Sequence, residues 1–393
     1  MKNIFEVIVI GAGPVGCYLG SLLAKAHINV ALIDQRRKIG VPVQCAGLIT
    51  PRVFSQFHIP IEGIVQQTIK GAHIIAPDNT ILSIGGTKTH AYSIDRQSFD
   101  QYLVSQAQRD GVTLINNQKV IQMKKESQSI SVQTNKNHTV SAPLIIGADG
   151  PHSITRSTFH FPQPKEFLKG VGAEIKNIQV EPDIVKLYIG NNIAPGFFAW
   201  VIPTNKTGTT ARIGLCVRSS QAVKPYFNRF FSKIKKESSM QYAKVTRYIG
   251  GTIPLGMLKQ TVMDHVMLVG DAAAQVKPTS GGGIYPGMCC ASFCAEAAVQ
   301  AIHKQSFSKH ILSSYSKHVK KDIGKELARG MLVRKAFTHL SDDDFNKYIM
   351  QMNQPKIIET INKYGDIDYP SRLFAPLLTK APSLLLAIKH YPQ

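Results

Sequence analysis

Val7-Ile8-Val9-Ile10-Gly11-Ala12-Gly13-Pro14-Val15-Gly16 leads from an apolar run through three spaced glycines into a stretch of helical pattern. The pattern predicts a strand over 4–10 and a helix over 15–26. Glycines at these positions let the backbone approach a pyrophosphate, whose charge rests on the amides of the helix N-terminus. A second apolar strand, Val30–Ile33, ends in Asp34, eighteen residues beyond Gly16. A carboxylate there accepts hydrogen bonds from a ribose diol. A glycine turn alone is common. Strand, turn, helix and acid in this order read as an adenine-dinucleotide site built from Gly11, Gly13, Pro14, Gly16 and Asp34.

The fingerprint does not separate NAD from FAD, but two later segments do. Residues 141–149 read as a strand delivering Asp149-Gly150, with Arg156 following. Residues 266–269 form another apolar run, which delivers Gly270-Asp271-Ala272-Ala273. Pro278 and Ser280-Gly281-Gly282-Gly283-Ile284 come next, then a helix rich in small residues. Carboxylates at the carboxyl ends of strands suit a polyol chain crossing a sheet. Consecutive glycines present main-chain amides to a flat ring, where they stabilise negative charge on a reduced flavin. Taken in chain order, these segments point to FAD.

These motifs resemble those of flavoprotein monooxygenases of the hydroxybenzoate-hydroxylase fold. Within that superfamily the chain resembles most the geranylgeranyl reductases, including the digeranylgeranylglycerophospholipid reductases. The resemblance runs through Pro42-Val43-Gln44-Cys45-Ala46-Gly47, Ile94-Asp95-Arg96, Leu187-Tyr188-Ile189-Gly190, and Leu340-Ser341-Asp342-Asp343. Pro195-Gly196-Phe197-Phe198-Ala199-Trp200-Val201-Ile202-Pro203 is similar to the reductase motif PxxYxWxFP. Phe198 stands for its Tyr and Ile202 for its Phe, which makes the wall more apolar and removes a hydroxyl. The ending Trp200-Val201-Ile202-Pro203 is also similar to the WxWxIP of flavin-dependent halogenases. Ala291 stands where such reductases often carry glycine.

The resemblance implies an α/β (α+β mixed) fold. It has a Rossmann-like FAD-binding domain, an antiparallel-sheet substrate domain and a C-terminal helical region. It implies Arg96 near the cofactor, a prenyl pocket lined by Phe197, Phe198, Trp200 and Ile202, and Cys45 beside flavin and substrate as proton donor or gate. A small buried thiol is the plainer reading of Cys45. The implied activity is saturation of isoprenoid double bonds by reduced flavin. An aromatic or polyprenyl monooxygenase, or a flavin-binding redox or membrane module without turnover, are the other readings. Electrons come from NAD(P)H, a ferredoxin or another reduced carrier, since only one dinucleotide fingerprint is present.

The six cysteines show no CxxC and no metal quartet, and their scatter suits a reducing compartment. Cys289, Cys290 and Cys294 fall on the helix expected after the triple glycine, where packing among small residues is their expected role. No uninterrupted apolar window reaches transmembrane length, so a cytoplasmic protein, peripheral to the membrane, is expected. The net charge of +21 is uneven, with ten basic residues against Glu237 alone between Asn205 and Arg247. Tyr226-Phe227 and Phe230-Phe231 recur there at helical spacing, a pattern that suits an anionic membrane surface or a solvated helix with its aromatics in the core. A basic surface also suits an acidic electron carrier, whereas no nucleic-acid recognition module is present.

The flavin domain is expected to collect residues 1–70, 91–165 and 260–305. A substrate domain of strands would fill 71–90 and 166–259. Residues 306–393 read as helical, with caps at Ser341 and Asp342, breaks at Pro355, Pro370, Pro376 and Pro382, and an apolar tail over 384–388.

Overall fold

The computed structural model describes residues 3–380. The chain divides into two compact units. The first takes the chain through Val41, then Arg96–Lys165 and Pro254–Ala328; the second takes Pro42–Asp95, Glu166–Ile253 and the chain from Arg329. Residues 42–70 and 91–95, expected with the cofactor residues, lie in the second unit. Strands Leu48–Ile49, Val65–Ile69 and Ala91–Ile94 pair there in a sheet of their own. Residues 306–328 lie in the first unit, where helix Lys309–Lys321 packs on helix Ile284–His303.

The first unit is built on a six-stranded sheet ordered Val262–Met263, Val266–Leu268, Leu144–Gly147, Val7–Ile10, Val30–Ile33, Thr113–Ile115. All pairs are parallel except the edge hairpin at Val262–Met263. Strands buried on both faces need continuous apolar runs, and Val7–Ile10 and Val30–Ile33 are buried throughout. The strand order reverses at Val7–Ile10, so helix Pro14–Lys25 begins at a topological switch point, the place where such sheets bind ligands.

Two predicted strands divide. Asn3–Ile4 pairs with Thr139–Ala142 in a separate four-stranded sheet, and the chain changes partner where Glu6 N–H and Val7 N–H both reach the Asn29 carbonyl. Residues 141–149 split at Pro143, which has no N–H for a ladder: Thr139–Ala142 joins the small sheet and Leu144–Gly147 the large one.

The second unit carries a seven-stranded sheet ordered Lys244–Leu255, Glu166–Lys176, Thr210–Arg218, Phe198–Pro203, Ile184–Ile189, Gly71–Ile75, Ile81–Gly85. Alternation assigns its two faces. Ala199, Val201, Ile213 and Leu215 share a core with Phe227, Phe230 and Ile234 of helix Val223–Ile234. Phe198, Trp200 and Ile202 alternate with Ala199 and Val201, on the other face.

The aromatics of Val223–Ile234 therefore pack on the sheet. Phe227 and Phe230 are buried, and Tyr226 and Phe231 pack against the same core. Ser341 caps helix Asp342–Met352 through a full capping box, whereas Asp342 is its first residue and accepts hydrogen bonds from Asn191 N–H and the Asn192 side chain. Pro355 opens a helix and Pro370 a 3-10 turn. Pro376 breaks nothing, lying in the first turn of Phe374–Lys380, where no intrahelical N–H is needed. Pro382 and the 384–388 tail lie outside the described residues.

Near the C-terminus, Arg52 bridges Asp366 and Asp368, and Thr50 donates to Asp368 at 2.6 Å. Burial pushes the Asp366 carboxyl up, but Arg52 and the amides of Asp368 and Tyr369 outweigh it and bring it down to about 2. Among the described residues no helix is long and apolar enough to cross a membrane.

Candidate functional site

All the residues assigned to the cofactor fall in the first unit. Gly11 adopts a φ of +103°, and a Cβ on it would lie 2.4 Å from the Ala148 carbonyl oxygen. A Cβ on Gly16 would lie 1.9 Å from the Gly11 carbonyl oxygen. These two glycines close the turn onto the neighbouring strand. Gly13 is different: nothing lies within 4 Å of its added Cβ. It stands at the N-cap of Pro14–Lys25 without a side-chain cap, and Pro14 supplies a helical start that needs no N–H. The helix thus offers unclaimed amides to an anion.

Asp34 is buried, and its carboxylate is already engaged. One oxygen accepts the Ala12 N–H at 2.8 Å and the other the Arg36 N–H at 2.7 Å. It therefore braces the glycine turn, and each oxygen keeps a further lone pair for a ribose hydroxyl. Sequence reasoning missed the Ala12 amide, because a backbone donor leaves no signature in residue type.

Asp149 accepts both the N–H and the hydroxyl of Thr155 on one oxygen, while its Oδ1 is buried with no hydrogen-bond partner. Burial raises its carboxyl above the ordinary value and these hydrogen bonds oppose the rise. Arg156 is buried and donates to the Ala272 carbonyl at 3.1 Å, tying the Asp149 turn to the Asp271 turn. Arg96 opens helix Arg96–Arg109 and forms a paired bond with Asp100, both contacts at 3.1 Å.

Gly270 has a φ of +66° and starts the short turn that carries Asp271. Gly281 has a φ of +71° and donates to the Lys277 carbonyl, while Gly282 accepts from Lys277 N–H. Gly283 caps the long helix beginning at Ile284, and a Cβ on it would lie 2.6 Å from Asp271 Oδ1. That glycine makes room for the carboxylate. Cys289, Cys290 and Cys294 lie buried along the same helix.

Burial raises the Asp271 carboxyl from 3.8 to about 6, against the pull of the Arg96 guanidinium. A raised acid favours the fold in its protonated form. That contribution is whole below the unfolded value and is lost as pH rises through about 6. It amounts to at most about 3 kcal/mol, less because part of Asp271 stays open. In the flavin-free protein, Asp271→Asn should flatten the fall in melting temperature over this window. The same slope in both proteins would refute the assignment.

The residues expected to line the prenyl pocket fall in the second unit. Trp200 pairs across the ladder with Gly214, which pairs with Gly172. A Cβ on Gly214 would strike the indole at 2.5 Å, so the ring lies across a floor kept bare by glycine. Phe197 is buried and stacks on Phe198 with centroids 4.2 Å apart, and Phe198 meets Trp200 edge-on at 6.2 Å. Ile202 is buried with Ile69, Ala91 and Val185, against which Trp200 and Ala46 pack. Cys45 is half-buried, and its sulfur accepts the Gly47 N–H at 3.3 Å.

Arg212 holds the loop bearing Cys45 and was missed from sequence. It is buried to 3 % exposure on this face and donates to the carbonyls of Ala46 (3.2 Å) and Ile94 (2.8 Å), to Glu174 (3.1 Å) and to Gln66 (2.6 Å). Its one signal is a charge inside an otherwise apolar alternating strand.

The switch-point helix, the open space over Gly13, the orphaned Asp149 oxygen and the Asp271 carboxyl fit a bound dinucleotide, and the fold is that of a flavoprotein. The FAD binding domain family matches residues 5–321. The chain belongs to this family and is an FAD-dependent oxidoreductase whose cofactor is FAD. An uncharacterised protein of Methanocaldococcus jannaschii is 31 % identical, covering 96 % of this chain and 95 % of its own. A digeranylgeranylglycerophospholipid reductase of Methanococcus vannielii is 28 % identical, covering 99 % and 98 %. Among solved structures, a geranylgeranyl bacteriochlorophyll reductase-like protein of Thermoplasma acidophilum superposes with a TM-score of 0.87 at 20 % identity, covering 99 % of this chain and all of its own. The halogenase PltM superposes at 0.72 and 15 % identity over 99 % of this chain and 93 % of its own. At these identities the solved structures speak for the fold alone.

Proposed function

We propose that the protein saturates double bonds of geranylgeranyl chains carried on membrane glycerophospholipids, in the cytoplasm and at the membrane periphery. The observation that carries this reading is the sheet face formed by Phe198, Trp200 and Ile202 over its glycine floor. Relatives named digeranylgeranylglycerophospholipid reductase match the chain nearly end to end and support it. Bound FAD, reduced by NAD(P)H, a ferredoxin or another carrier, supplies the hydride.

The chain's own share is to bind, orient and exclude water. An alkene offers no carbonyl to polarise, so the binding wall is apolar and no catalytic triad is required. Each buried methylene contributes about 0.8 kcal/mol, which the bilayer nearly matches, so contact with an anionic membrane belongs to this reading. Cys45 is the candidate proton donor: its sulfur accepts the Gly47 N–H, which leaves the S–H to be given. Phe198 has no hydroxyl to compete for that role.

The test is anaerobic. Dithionite-reduced protein mixed with a detergent-dispersed geranylgeranylated glycerophospholipid should add two hydrogens per double bond as the flavin reoxidises. Trp200→Ala should keep FAD and lose about a hundredfold in turnover through misplacement of the chain. Cys45→Ser should slow proton delivery, and unchanged turnover would remove Cys45 from the chemistry. A flavin that stays reduced until oxygen enters would overturn the reading in favour of a monooxygenase.

A further inference from the structure

Among the described residues, the sheet that carries Trp200 ends in strand Lys244–Leu255, with no further strand beyond it. Tyr242 and Tyr248 flank the start of this strand and are 71 % and 67 % exposed. Lys235, Lys236, Lys244 and Arg247, in the same stretch of chain, are exposed as well. The acid in this stretch, Glu237, faces Lys186 and the Tyr188 hydroxyl at 2.9 Å and 2.8 Å, so it does not offset the exposed lysines. Arg247 is partly spent on Glu174 at 2.7 Å.

Lysines alone would be an ordinary means of keeping an edge strand from pairing with another chain. Two largely exposed tyrosines do the reverse in water. Tyrosine and lysine together suit one environment, the headgroup layer of an anionic bilayer, where the ring sits at the interface and the ammonium meets phosphate. We infer that this edge docks on an anionic lipid surface through Tyr242, Tyr248, Lys235, Lys236 and Lys244.

The position is suited to the task. Three strand spacings of about 4.8 Å separate the edge from the strand bearing Trp200, roughly 14 Å in all. A chain leaving the bilayer at this edge would be within reach of the apolar wall. The purpose of the docking rests on the prenyl-lipid reading, but the surface itself does not.

The experiment is flotation of the FAD-loaded protein with phosphatidylglycerol vesicles and with phosphatidylcholine vesicles. Wild type should float with the first and not the second, less so at high salt. Replacing Lys235, Lys236 and Lys244 with Gln should cost about fivefold in partition each, on the order of a hundredfold together. Tyr242→Ser with Tyr248→Ser should weaken binding severalfold at any salt. The lysines and Tyr242 are exposed, and Tyr248 meets Phe227 only edge-on at 6.2 Å, so melting temperature should fall little and turnover of detergent-dispersed substrate should not change.

If the lysine variant floats like wild type, or wild type binds neither vesicle, the surface is wrong. If vesicle binding is untouched but reduction by an acidic carrier protein fails, the edge docks that carrier and the inference is overturned. If wild type shows no prenyl turnover while the lysines still govern vesicle binding, the functional reading fails and the docking surface stands.

Discussion

Gly16→Ala should yield a protein that neither loads flavin nor keeps its stability, whereas Gly13→Ala should lose flavin alone. The two glycines are three residues apart in one motif, yet they serve different partners. Gly16 is pressed against backbone: its Cβ would sit 1.9 Å from the Gly11 carbonyl oxygen and 3.2 Å from the Ala148 Cβ. Backbone at the centre of a buried parallel sheet cannot move aside as a flexible side chain can. The first turn of helix Pro14–Lys25 must lift away, at a cost near the upper end of overpacking, about 3 kcal/mol. Gly13 has a φ of −72° and ψ of 176°, which any residue tolerates, and open space where a Cβ would go. Alanine there intrudes only on what the turn binds. Flavin absorbance per protein and the melting temperature of the flavin-free protein separate the two effects. Equal melting temperatures for both variants would contradict this division of labour.

Arg212→Met should destabilise the protein by about 3–5 kcal/mol, the range for breaking a buried ion pair from one side. The loss is not of charge alone. Two carbonyls, a glutamine oxygen and Glu174 share this one guanidinium. Methionine fills the volume and leaves the carbonyls of Ala46 and Ile94 without this donor. Arg212→Lys should recover only part of the stability, because one ammonium cannot span the four partners of the planar fork. Arg247→Met serves as the control: it meets the same Glu174 oxygen with its side chain 43 % exposed, so about 0–1 kcal/mol is expected. Urea denaturation measures all three. Because Arg212 holds the loop after Cys45, alkylation of Cys45 in the folded Arg212→Lys protein should quicken. An Arg212→Met protein as stable as wild type would remove the arginine from any such role.

The candidate cofactor site could be proposed from sequence because its demands fall on the backbone, and only glycine meets them. Gly11 at positive φ and Gly283 against a carboxylate are visible as letters in a motif. Strand breaks were less visible, although Pro143 was a signal that one run of apolar residues served two sheets. Arg212 was not legible as a hub, since its partners at 46, 66, 94 and 174 are brought to it only by strand pairing. Helix Val223–Ile234 shows a different limit. Amphipathic spacing says that one face is apolar and the other basic, but not whether a sheet or a bilayer meets the apolar face. Here the sheet claims it, and the exposed aromatics lie beyond the helix, at Tyr242 and Tyr248.

The strand order of the first unit also sets a timetable for biosynthesis. Val7–Ile10 precedes by well over a hundred residues its neighbour in the sheet interior, Leu144–Gly147, which in turn pairs with Val266–Leu268. At 5–20 residues per second, roughly 15–50 s pass between emergence of the first of these strands and the last. During that interval Val7–Ile10 has Val30–Ile33 to pair with on one side, while its other side waits for Leu144–Gly147. On the proposed cofactor site, flavin capture waits for the Gly270–Ala273 turn, which carries Asp271.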